Sequence, residues 1–228
     1  AVSYRESAGG EQYKLLAING LPETDEVERG SYEEAGGSTT TGEFASLLIR
    51  LFAPESETEF KPAYTDTLRG RSSIVYEFEI KKEKARNILI FGGRGQDSRR
   101  RTNTGLKGKV WIDRGVSRVL RIEYTTTDVE PGFPIKQLDK SIDFDWVTIS
   151  DKKYLLPVNA ETTFTTTVPV TYYDPNRQVK VTEMMTFQNR NEIRFRNYQK
   201  FGAEVKIIED IGDDEDEPPP PPKKPEEK

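Results

Sequence analysis

The 228-residue chain contains no cysteine and no histidine. Without thiols there is no disulfide, no thiolate metal site and no cysteine nucleophile; without imidazole the commonest general base and zinc ligand are missing as well. Triads of the Ser-His-Asp or Cys-His kind therefore have nothing to activate a nucleophile, and catalysis would rest on Asp, Glu, Lys or Tyr alone. A chain free of thiols suits an oxidising compartment, where an unpaired cysteine is a liability. Long apolar runs are absent too. No stretch of about 18 apolar residues occurs, so no transmembrane helix is expected, and the residues after Ala1 lack the apolar core of a secretory signal. The expectation is a periplasmic, extracellular or cell-surface protein whose signal peptide has already been removed.

Only 34% of the residues are hydrophobic and the mean hydropathy is −0.74, polar for a folded protein, yet ten Tyr, eleven Phe and two Trp supply bulky anchors that a disordered chain lacks. Charge is unevenly placed. Residues 209–228 hold nine acids against three lysines, a balance of −6, so the preceding 208 residues net about +1 from 31 basic and 30 acidic side chains. The segment GDDEDEPPPPPKKPEEK has no apolar side chain to bury, and Pro218 to Pro222 favour polyproline II. The expected organisation is one domain over 1–208 followed by an acidic, proline-rich tail over 209–228, extended or disordered.

Several segments alternate with period two, the pattern of strands with one buried face. In SSIVYEFEIK, Ile74, Tyr76, Phe78 and Ile80 share one face and Val75, Glu77 and Glu79 the other. VLRIEY sets Leu120, Ile122 and Tyr124 against Arg121 and Glu123, and IDFDWVTI sets Phe144 and Trp146 against Asp143 and Asp145. Later segments continue the pattern, giving roughly nine or ten strands bounded by Gly, Asn, Asp or Pro turns. Helical periodicity is confined to TTGEFASLLIRLFAP, where Phe44, Leu47, Leu48 and Leu51 recur at spacings of three and four, Thr41 is placed to cap and Pro54 ends the run. The fold expected is mainly β: a curved antiparallel sheet or half-open barrel, with a single helix near 42–52 on its concave face.

The stretch FGGRGQDSRRRTNTG, residues 91–105, resembles a phosphate-binding loop only in its glycines. Gly95 is followed by Gln96 and Asp97 rather than Lys and Ser or Thr, and no helix pattern opens after it, so neither the P-loop nor the dinucleotide fingerprint is met. It is expected to be a long cationic connection between strands. Its arginines, Arg94, Arg99, Arg100 and Arg101, are candidates for contacting an anion or a partner: lipid headgroups at a membrane surface, or the chain's own acidic tail. No aromatic platform is interleaved with them, and nucleic acid is not expected. Asp143 and Asp145 form a same-face carboxylate pair, but with Phe144 and Trp146 turned inward the two acids are expected to face water. GGSTT lacks the final glycine of a nucleophile elbow, and DDEDE lacks the spaced ligands of a calcium loop. No catalytic residue, metal or cofactor is expected.

The apolar face itself remains as a candidate site. Phe44 and Leu48 from the helix, Tyr76 and Phe78, Leu120 and Ile122, and Phe144 and Trp146 from three strands can line a cavity for an acyl chain or fill a core; periodicity admits both.

The segments GKVWIDRGVSRVLRIEY and DKKYLLPVNAE resemble a strand-turn-strand and a later strand of the bacterial lipoprotein-sorting (LolA-like) superfamily. GGSTTTGEFASLLIRLFAPES, TLRGRSSIVYEF, FPIKQLDKSIDFDWVTI and RNEIRFRNYQKFGAE are similar to a group of uncharacterised secreted bacterial proteins related to it, and the likeness spans most of residues 13–208. The resemblance implies a strongly bent antiparallel sheet whose concave side is covered by helices and, in carriers, accepts lipid acyl chains. Two departures stand out: that group usually has an extra helix and strand ahead of the region matching EQYKLLAING, so by this resemblance a shortened start is expected, and the paired cysteines often found near its last strands are replaced by the longer TTTVPVTYYDPNRQVKVTEMMTF. Two functions are thus expected as alternatives. One is a non-enzymatic carrier holding a lipid or other hydrophobic ligand between sheet and helix. The other is a structural or accessory subunit of an extracytoplasmic assembly, binding protein partners through its loops and acidic tail.

Overall fold

The computed structural model describes residues 2–7, 10–15, 17–18, 21–22, 46–92, 99–176 and 178–199. The chain divides into a body, Ala1–Tyr198, and a second unit, Gln199–Lys228, of which only Gln199 is described. The acidic tail expected over 209–228 therefore lies outside the described residues, as do Phe44 and Arg94.

Alternation of apolar and polar side chains produces strands because successive residues point to opposite faces. The first four are short: β1 (Val2–Ser7) pairs with β2 (Gly10–Leu15), and β3 (Ala17–Ile18) with β4 (Leu21–Pro22). The main sheet is built from β5 (Glu59–Leu68), β6 (Arg71–Ile80), β7 (Asn87–Phe91), β8 (Arg100–Asp113), β9 (Val119–Thr127), β10 (Ile135–Ile149), β11 (Lys152–Asp174) and β12 (Val179–Arg194). Its order is β12-β11-β10-β9-β8-β6-β5, every pairing antiparallel, with β7 on the first half of β8. The sheet is curved and does not close. No helix among the described residues is long and apolar enough to cross a membrane.

Tight turns set the register. Arg69 and Gly70, with φ of 50° and 76°, form the two-residue link between β5 and β6, and Ser150 and Asp151 (φ 46° and 64°) link β10 to β11 in the same way. Both are the left-handed pairs that match strand twist in a hairpin. Between β8 and β9, the Asp113 carboxylate accepts the backbone N–H of Gly115 at 2.7 Å and of Val116 at 3.1 Å, and holds the turn closed.

The helix expected near 42–52 is described over Ser46–Phe52 (α1); a 3-10 turn follows at Pro54–Ser56, and one turn of helix, α2 (Lys82–Ala85), precedes β7. Leu47 and Leu51, one turn apart, are buried against Phe78 and Ile80 of β6, Val110 of β8, Ile122 of β9 and Ile142 of β10. Each such side chain contributes roughly 1.5–3 kcal/mol when removed from water, so this cluster fixes α1 to one face. The Thr58 hydroxyl donates to the Leu51 carbonyl at 2.8 Å and satisfies one of the carbonyls that the helix end leaves open. A second cluster joins Leu89, Phe133, Ile135 and Phe164; a third, Val75, Trp111 and Leu120, is the small apolar patch on the opposite face.

Two of the expected apolar-face residues are placed elsewhere. Leu120 belongs to the patch with Val75 and Trp111, because a bulge makes Trp111 face Arg121 while Ile112 faces Val119, and the extra residue shifts Leu120 out of the alternation that Ile122 keeps. Trp146 is 37% exposed. β9 pairs with β10 only as far as Asp143, so among the described residues the end of β10 has β11 alone beside it, and Trp146 sits at the margin of the core opposite half-buried Leu155. Trp146→Ser, which gives up the buried part of the indole, is accordingly expected to cost about 1–2 kcal/mol, less than the roughly 3–5 kcal/mol of a fully buried aromatic, as read from urea midpoints.

Candidate functional site

The described part of the expected ligand face is packed. Phe78, Ile122 and Phe144 are buried beneath α1, and Leu48 and Tyr76 pack against them at the cluster's margin. A polar row crosses the same face beside this cluster: Lys140 is opposite Tyr124 and Thr162, and both Lys140 and Thr162 are buried. The Thr162 hydroxyl is the one buried side-chain oxygen without a hydrogen-bond partner among the described residues.

Two shallow, open hollows, about 380 and 540 Å³, are lined mainly by the outward face. That face is laid out as rows of charge. Lys61, Glu77, Lys109, Glu123, Ser141 and Glu161 are cross-strand neighbours in sequence from β5 to β11, with signs alternating over the first four. Lys109 also places its ammonium 5.2 Å from the centre of the Tyr64 ring. Carboxylates and cations are interspersed, and no group of acids able to hold a metal occurs among the described residues.

Asp143, one of the two acids expected to face water, is instead only 15% exposed and clamped. Arg121 reaches both of its oxygens, Nε to Oδ1 at 2.8 Å and Nη2 to Oδ2 at 3.0 Å, while Arg69 Nη1 reaches Oδ1 at 2.8 Å. Arg69 also donates to the carbonyls of Phe144 (2.7 Å) and Leu120 (3.1 Å), tying the β5–β6 turn to β9 and β10. Burial works to raise the Asp143 pKa, but the hydrogen bonds and charges of Arg121 and Arg69 outweigh it and hold the carboxyl below its ordinary value. Asp66 is lowered in turn by the indole N–H of Trp111 and the backbone N–H of Thr67. These acids serve as anchors for cations and an indole. Asp145 stays about half exposed, 3.8 Å from Arg69.

The cationic connection is shorter than the sequence suggests. β7 ends at Phe91 and β8 begins at Arg100, so Arg100 and Arg101 are strand residues opposite Phe91 and Ile90. Arg100 places its guanidinium 5.5 Å from the centre of the Phe133 ring, and Arg99 stands at the entry to β8.

At the other edge, β11 and β12 continue past Ile135, where β10 begins. The last residue of β11 paired to β10 is Thr166, whereas the β11–β12 ladder runs on to Asp174 opposite Val179. Beyond Thr167, whose N–H meets the Pro134 carbonyl at 2.8 Å, the two strands pair only with each other among the described residues and form a ribbon roughly 24 Å long at about 3.4 Å per residue. Met184 is 64% exposed on it, and Tyr172, Tyr173, Val179 and Phe187 of these two strands are exposed as well. Thr167 with Thr186 and Thr171 with Thr182 share hydroxyl hydrogen bonds at 3.0 and 2.8 Å, and Glu183 raises the Tyr172 pKa by accepting its hydroxyl. The length of this hairpin was legible in the sequence, but its projection was not, since that depends on where β10 begins.

No family model, curated protein or solved structure matches this chain.

Proposed function

We propose that this is a non-enzymatic accessory protein of an extracytoplasmic assembly, which docks a protein partner along β12 and the β11–β12 ribbon. The carrying observation is that sixteen-residue edge, unpaired on its outer side among the described residues and bearing exposed Met184 and Phe187. A strand edge offers a row of main-chain donors and acceptors that an extended segment of another chain can complete, while alternate side chains give selectivity. Natural edges are commonly short, bulged or charged to prevent this; β12 is long and pairs with β11 without a register shift, and between its charges, Lys180 and Glu183 on one side and Arg190, Glu192 and Arg194 on the other, the six residues from Met184 to Asn189 are uncharged. The clamping of Asp143 and the absence of His and Cys support a role without catalysis.

The LolA-like carrier reading makes a different demand: an acyl chain between α1 and the sheet has to part Leu51 from Phe78 and Ile122. A photo-crosslinker at Gln188, on β12, separates the two. The docking reading predicts one dominant protein adduct in cells of the source organism, reduced at least about tenfold by Met184→Lys with Phe187→Lys and with thermal stability unchanged. Stoichiometric acyl species extracted from the native protein, with no such adduct, would replace it by the carrier.

A further inference from the structure

The chain as a whole is acidic, with a formal charge of −5, yet residues 81–109 hold ten lysines and arginines against Glu83 and Asp97 alone. This segment contains α2, β7 and most of β8, and its β7–β8 hairpin carries two exposed isoleucines: Ile88 at 52% and Ile90 at 45%. The register puts Ile90 opposite Arg101 and Ile88 opposite Asn103, so both isoleucines and the Arg101 side chain leave the same side of the ribbon. Exposed Arg86 immediately precedes the strand. On the other side Leu89 is buried with Phe133, and Arg100 lies over the Phe133 ring, so that side belongs to the core.

We propose that the exposed side of the β7–β8 hairpin docks on an anionic bilayer surface, with Ile88 and Ile90 entering the headgroup boundary and Arg86 and Arg101 on lipid phosphates. Branched aliphatic side chains beside guanidinium groups match an interface that is apolar a few ångströms below a layer of negative charge. A nucleic-acid backbone offers the charge but no place for the isoleucines, and no exposed aromatic among the described residues of the hairpin provides a stacking platform. The depth of entry is limited as well. β7 is paired only with β8 among the described residues, and unpaired backbone groups cannot be carried into hydrocarbon, so the side chains enter and the strand stays at the surface.

The test is flotation of the full-length protein with vesicles of phosphatidylcholine, alone or containing about one third phosphatidylglycerol. Binding is expected only to the anionic vesicles and is expected to weaken as salt is raised. Ile88→Ser with Ile90→Ser should weaken it about tenfold through lost apolar burial. Arg86→Gln with Arg101→Gln should weaken it roughly 30-fold, at about fivefold per charge. Both pairs should leave the melting curve of the protein unchanged, since the altered side chains are exposed. Equal flotation with neutral vesicles, no flotation at all, or undiminished binding of the isoleucine variant would each overturn the proposal. Binding to a polyglutamate peptide with the same dependence on Ile88 and Ile90 would transfer the surface to an acidic protein.

Discussion

Gly108→Ala is expected to leave little folded protein, at a cost of about 4 kcal/mol or more, against a total stability of about 5–15 kcal/mol for a domain of this kind. Gly108 sits in the middle of β8, opposite Phe78 of β6 and Tyr124 of β9. A β-carbon there would overlap the Glu123 carbonyl oxygen and come within 2.8 Å of the Tyr124 α- and β-carbons. Two of these three neighbours are backbone atoms, which no rotamer change can move aside. The strand has to shift, and with it the pairing that brings Val110 and Ile122 under α1. Gly70 is the internal comparison: nothing lies within 4 Å of its would-be β-carbon, and only its φ of 76° opposes a side chain, so Gly70→Ala should cost about 1 kcal/mol. Far-ultraviolet circular dichroism and urea midpoints of the two variants read the contrast. Similar losses in both would mean that β8 and β9 do not approach as closely at Gly108 as the fold requires.

The strands whose two faces differ in chemistry were the legible part of this fold. In β6 the sequence alternates Tyr76, Phe78 and Ile80 with Glu77 and Glu79, and the burial follows that alternation. β5 has no comparable signal, because nine of its ten residues are exposed at the sheet edge; it also tolerates Pro62, beside a shift in register, as only an edge strand can. Alternation says which residues share a face, but it is blind to what covers that face. Trp146 has the right parity and lies beyond the cover, while Leu120 has the right parity and loses it to a single inserted position. The same limit hid the projecting ribbon and the edge position of β7, both of which depend on where a neighbouring strand ends. The Asp143 cluster was hidden for another reason. Its two cations lie 22 and 74 positions away along the chain, and only the sheet order brings them to one carboxylate.

Asp143→Asn should therefore cost far more than an outward-facing acid on a strand usually does, about 2–4 kcal/mol at neutral pH, because it leaves two partly buried guanidinium groups without their counter-charge. Through the docked Arg69, the loss extends to the β5–β6 turn. The pH dependence identifies the cause. The folded carboxyl titrates below its ordinary value, whereas the unfolded one titrates near 3.9. Between those points the unfolded chain binds more protons, so the stability this group contributes is fully present above the unfolded pKa and is lost as pH falls through the folded one. Urea midpoints of the native protein and of the variant should differ most at neutral pH and converge on acidification. Asp145→Asn, whose carboxylate is half exposed at 3.8 Å from Arg69, should track the native protein within about 0.5 kcal/mol throughout. A gap between the native protein and Asp143→Asn that stays constant down to acid pH would mean that the side chain matters for its shape and hydrogen bonds, not its charge. The ionic clamp between the turn and the two central strands would then have to be abandoned.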